Sequence, residues 1–98
     1  MITKEEVIEK LKEVIDPELG FNIVDLGLIY GVETNGDDVS IKMTLTWPGC
    51  PLAQQLVGKA REAVESIPGI GKVNVELVFD PPWSPDMMSE EIKKKIMG

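Results

Sequence analysis

The chain has 98 residues, one cysteine, no histidine and a formal net charge of −7. That length fits one domain over residues 1–98, and a 43% hydrophobic share with 28% charged residues is an ordinary soluble globular composition. The acidic balance argues against nucleic-acid binding, no apolar run reaches the roughly 18 residues of a membrane span, and the missing histidine removes the commonest general base and metal ligand.

The first residues, Met1-Ile2-Thr3-Lys4-Glu5-Glu6, are acidic where a signal peptide would be basic and then apolar. A single cysteine gives no disulfide framework, so a cytoplasmic protein is expected, with no nucleic-acid or membrane partner. Thr3 to Glu6 spells a capping box, with Ile2 and Val7 at the staple positions. Val7, Ile8, Leu11, Val14 and Ile15 then form one apolar helical stripe. Pro17 disfavours a helical Asp16, which predicts that the first helix stops near Ile15. Residues 16–25 form a connector that contains Gly20.

A hairpin follows. Leu28 to Glu33 and Val39 to Trp47 flank Asn35-Gly36, a strong turn signal. In the second strand Val39, Ile41, Met43 and Leu45 alternate with Ser40, Lys42, Thr44 and Thr46, the pattern of a sheet covered on one face. Pro51 is a favoured first helical residue, and Leu52, Ala53, Leu56, Val57, Ala60, Ala63, Val64 and Ile67 follow at helical spacing until Pro68-Gly69. Val73, Val75, Leu77 and Phe79 mark a third strand, which the prolines at 81, 82 and 85 cannot continue. A short helix from Ser89 to Met97 is acidic in its first turn and basic in its last. The predicted fold is α+β, a two-layer α-β-β-α-β-α domain whose three-stranded mixed sheet carries its helices on one face.

In this topology the second and third strands are parallel and the first is antiparallel to the second. The start of the first strand and the ends of the other two then share one edge, outside the carboxyl ends of strands where sites tend to form. Asp25-Leu26-Gly27, Pro48-Gly49-Cys50-Pro51 and Asp80-Pro81-Pro82-Trp83 are expected to meet there, with Asp16-Pro17-Glu18 nearby. Cys50 falls at the expected start of the second helix, where unpaired N–H groups and the macrodipole favour a thiolate. Gly49 allows close approach, and Pro51 stiffens the flank. Against this, a free cysteine is often an inert buried hydrophobe, Asp16 and Asp25 suit turn and cap chemistry, and Trp83 could fold back over a small core instead of anchoring a partner. For Met87 and Met88 packing against the sheet is expected rather than metal binding.

Taken together, Asp16-Pro17-Glu18-Leu19-Gly20, Asp25-Leu26-Gly27-Leu28-Ile29-Tyr30, Met43-Thr44-Leu45-Thr46, Pro48-Gly49-Cys50-Pro51 and Phe79-Asp80-Pro81-Pro82-Trp83-Ser84 extend over most of the chain. The ordered set resembles the SufT/PaaD-like family of iron–sulfur cluster assembly domains. The resemblance implies an α+β fold, a functional cysteine at a helix start, and a part in cluster maturation as a carrier or as an adaptor to clients. Carried over by position, Cys50 is the key residue, with Asp16, Glu18, Asp25, Thr44 and Thr46 around it.

Three functions follow. In the first, a non-enzymatic assembly factor uses Cys50 as a shared ligand. Clusters need about four thiolates, so a labile iron–sulfur cluster would be held between chains, in a homodimer or with assembly proteins or client apoproteins. In the second, a metal-independent scaffold binds clients through the Trp83 loop. The third, a cysteine-dependent enzyme, ranks lowest because a carboxylate would have to replace histidine as the base for the thiol.

Overall fold

The structure is a computed structural model that describes residues 1–17, 19–46 and 53–97. Its elements run α1 (Lys4–Leu11), β1 (Ile29–Asn35), β2 (Asp38–Met43), α2 (Ala53–Glu65), β3 (Val73–Leu77), a 3-10 turn (Pro85–Met87) and α3 (Glu90–Met97). The sheet order is β1-β2-β3, with β1 antiparallel and β3 parallel to the central β2. This is the expected α+β fold with a three-stranded mixed sheet.

Local chemistry explains the beginnings of the helices. The Thr3 hydroxyl accepts from the Glu6 N–H and the Glu6 carboxylate accepts from the Thr3 N–H, both at 3.2 Å, while Ile2 and Val7 are buried beneath this box. Ser89 accepts from the Ile92 N–H at 3.4 Å and starts α3, with Glu90 and Glu91 in the first turn. α1 ends at Leu11, four residues before the expected stop. The chain leaves the helix because residues 14–16 pair instead with residues 21–23: Ile23 donates to the Val14 carbonyl at 3.0 Å and Asp16 to the Phe21 carbonyl at 2.9 Å. Val14 remains buried, but Ile15 is exposed.

α1 touches β1, α2 touches β3, and the two helices touch each other. Leu56, Ala60 and Val64 project from α2 at four-residue spacing into the core, where they meet Val7 and Leu11 of α1 and Val39, Ile41 and Met43 of β2. Burying a side chain of this size stabilises by about 1.5–3 kcal/mol, so the layer contact is the main source of stability. Pro68-Gly69 closes α2 as expected, with Gly69 at φ +81°. No helix among the described residues is long and apolar enough to cross a membrane.

The hairpin turn is short. Asn35 pairs with Asp38, leaving Gly36 and Asp37 as the two central residues, and only Gly36 has positive φ. At the other end of β1 the register slips between Ile29 and Gly31, making Tyr30 the extra residue of a β-bulge.

Candidate functional site

The strand directions bring the start of β1 and the ends of β2 and β3 to one edge of the sheet. Two backbone bonds extend the ladder there: Thr44 donates to the Leu28 carbonyl and Val78 to the Met43 carbonyl, both at 2.8 Å. The connector ahead of β1 winds up through successive turns. Leu26 donates to Asn22, Gly27 to Val24 and Leu28 to Ile23, and Ile23, Leu26 and Leu28 are fully buried as a result.

Asp16 and Asp25 both sit in this connector, in different settings. Asp16 is buried, and its Oδ1 accepts from the Leu19 N–H at 3.2 Å while its carbonyl accepts from Gly20 at 2.8 Å. Asp25 is half-buried, and its Oδ2 accepts from Asn22 Nδ2 at 2.8 Å while its N–H donates to Asn22 Oδ1 at 2.9 Å. Each carboxylate therefore braces a turn, whatever further role it has. Asn22 was not singled out by sequence reasoning, although Asn22-x-x-Asp25 is a legible side-chain-to-backbone turn pattern.

Thr44 departs most from expectation. Alternation along β2 places it with solvent-facing Ser40 and Lys42, yet it is fully buried. β2 ends at Met43, so the strand's alternation no longer governs Thr44, whose N–H donates to the Leu28 carbonyl of the connector. The Thr44 Oγ1 has no hydrogen-bond partner among the described residues. An orphaned buried hydroxyl costs about 1–3 kcal/mol, so keeping one at this edge calls for a reason other than stability. Thr46 follows, half-buried. Cys50, Gly49, Pro51, Glu18 and Trp47 lie outside the described residues, as does the expected start of the second helix. Among the described residues no group of three or more acidic or cysteine side chains could hold a metal ion.

The C-terminal segment locks the edge from a distance. Trp83 is half-buried against the core, and its Nε1 donates to the Leu26 carbonyl at 2.7 Å. Ser89 donates to the Asp25 carbonyl at 2.7 Å. The bulged Tyr30 hydroxyl donates to the Pro81 carbonyl at 2.7 Å and lies 3.4 Å from Met87 Sδ. Gly27, at φ +80°, packs directly on the Met87 backbone, where a Cβ would collide with the Met87 carbonyl. The Asp25 and Trp83 segments are thus together at one edge. Met88 is buried in the core, whereas Met87 stays 37% exposed beside Tyr30. The contact between Tyr30 and Met87 was not foreseen from the sequence, because it joins residues far apart in the chain.

Residues 4–77 match the family described as iron-sulfur cluster assembly protein. The chain is 46% identical over 90 residues to an Fe-S protein maturation auxiliary factor of Porphyromonas gingivalis, covering 91% of this chain and 86% of that protein. It is 44% identical over 81 residues to the Fe-S protein maturation auxiliary factor SufT of Staphylococcus aureus, covering 82% of this chain and 92% of that one. Its fold is similar to the crystal structure of a domain of unknown function from Bacillus anthracis, with a TM-score of 0.91, 36% identity, and coverage of 96% of this chain and 91% of that one. A chain with this fold, these ordered motifs and this extent of identity belongs to the iron–sulfur cluster assembly family, in its SufT/PaaD-like form.

Proposed function

We propose that this chain is an iron–sulfur protein maturation factor that holds a labile cluster between chains through Cys50 and delivers it to client apoproteins. The observation that carries the reading is the 46% identity along 91% of the chain to a protein named as an Fe-S protein maturation auxiliary factor. The orphaned Thr44 Oγ1 adds support, as a polar atom kept dry at the edge where Asp16 and Asp25 brace the connector. One thiolate per chain is an incomplete cluster site, and an incomplete site suits a protein that hands its cargo on. The reading is non-enzymatic and cytoplasmic: the chain has no histidine to act as base, and one cysteine suits a reducing compartment.

Anaerobic reconstitution with iron and sulfide, followed by visible absorption, tests the reading. The parent chain takes up both and Cys50→Ser takes up neither; equal uptake by the two chains overturns the carrier role. The pH dependence of Cys50 alkylation is a second check, because the helix-start position expected for it from the sequence would hold its thiol below the ordinary value of about 8.5. Adaptor function is a further part of the reading. Trp83 belongs to a loop whose neighbours Asp80, Pro81 and Met87 line an open groove, which favours client contact on that side of the domain.

A further inference from the structure

α1 and α2 cover one face of the sheet. The other face carries a groove of about 660 Å³ whose apolar walls are Ile29, Val78, Pro81 and Met87, with Lys42 and Asp80 along it. Lys42 also borders a smaller and more enclosed depression of about 220 Å³ over Gly31, Ser40 and Asn74, flanked by Glu33 and Glu76. A site of this volume with apolar walls and a few polar groups fits an inserted side chain and the residues that flank it.

The charges are one-sided. Glu33, Glu76 and Asp80 are exposed carboxylates lining this surface, and Lys42 is the cation among them. None of the four takes part in an ion pair among the described residues. A second copy of this chain, itself at −7, would set carboxylates against carboxylates, and an anionic ligand would meet the same repulsion. The wall is also held in place before anything binds. Tyr30 is fixed by its bulge and by the 2.7 Å bond to the Pro81 carbonyl, and Met87 by its backbone contact with Gly27. A preformed wall leaves little ordering to lose on binding.

We propose that this groove docks a partner protein through a segment that presents an apolar side chain between lysines or arginines. The apolar residue fills the slot between Val78 and Met87, and its basic neighbours meet Glu76 and Asp80. The partner's place in cluster delivery rests on the maturation reading above; the docking chemistry does not.

The test is a nitrogen-15 NMR titration of the full chain with three synthetic peptides: Gly-Lys-Lys-Phe-Lys-Lys-Gly, the same peptide with glutamates for lysines, and the same with serine for phenylalanine. The first is expected to give saturable shifts at the Gly31, Lys42, Val78 and Met87 amides, with affinity falling about five-fold or more on raising salt to roughly 0.3 M. The paired charge reversals Glu76→Lys and Asp80→Lys lie at exposed positions and are expected to keep the parent melting temperature while weakening that peptide about ten-fold or more. No saturable shift, an equal response to the glutamate or serine peptide, or shifts confined to α1 and α2 overturns the proposal. Concentration-dependent shifts of the same four amides without peptide assign the groove to a second copy and overturn it too. Iron and sulfide uptake through Cys50 is expected to be unchanged in the single Glu76→Lys chain, whose position lies outside the motifs expected around Cys50. Loss of Cys50 dependence with peptide docking intact removes the maturation reading alone, and the converse result removes the docking proposal alone.

Discussion

The two ends of the sheet are closed in different ways. At the hairpin end, short backbone bonds join neighbouring turns: Gly71 donates to the Asp37 carbonyl at 2.7 Å, Lys72 to Asp38 Oδ1 at 2.8 Å and Ile2 to the Gly36 carbonyl at 3.2 Å. The residues there are small or polar and mostly exposed. At the opposite end, closure depends on Trp83 and Ser89 reaching back to the Leu26 and Asp25 carbonyls and on Tyr30 reaching forward to the Pro81 carbonyl, and a buried threonine hydroxyl is left unpaired among the described residues. At the first end no buried side-chain polar atom is left unpaired among the described residues. The second is assembled from distant pieces and retains one, and this is the physical difference between a structural turn and a candidate site.

Glycine replacement breaks the comparison most sharply. Gly27→Ala must place a Cβ into the Met87 backbone at φ +80°, so a loss of about 3 kcal/mol or more is expected, on the order of 15 °C in a thermal melt. Gly36→Ala has open space around it at φ +64°, and only the backbone strain of about 1–2 kcal/mol is expected. Equal losses at the two ends would mean that the Met87 contact contributes little.

Trp83→Ala comes next, with an expected loss of about 2–4 kcal/mol in denaturant unfolding from lost packing and from the stranded Leu26 carbonyl. Trp83→Phe keeps most of the packing and is expected to lose about 1–2 kcal/mol. A Trp83→Ala chain as stable as the parent would free this tryptophan for the partner-anchoring role foreseen from the sequence.

Thr44→Val sharpens the contrast through its sign. It removes the orphaned hydroxyl at nearly constant volume, so stability is expected to rise by about 1 kcal/mol while client maturation in a coupled assay falls. A stability loss would show the hydroxyl to be paired, and unchanged maturation would make it incidental. Asp38→Ala, at the hairpin end, removes the acceptor of the Lys72 N–H and is expected to cost about 0.5–1.5 kcal/mol with no effect on maturation.

Local signals were enough to place the Thr3–Glu6 box, the β2 alternation from Val39 to Met43, the α2 stripe and the Pro68-Gly69 stop, because each rests on chemistry between near neighbours. From them the α+β class, strand directions and shared edge followed, since a β-α-β unit and a hairpin leave few ways to lay three strands together. Tertiary structure decided the remainder. α1 stops at Leu11 because residues 14–16 gain pairing with 21–23, a competition invisible to helical periodicity. Thr44 is buried just past the end of β2, where alternation no longer governs, and Tyr30 is re-aimed by a bulge and held by Pro81. Burial and hydrogen-bond closure between residues far apart in sequence depend on how the layers dock, and no local pattern encodes that docking.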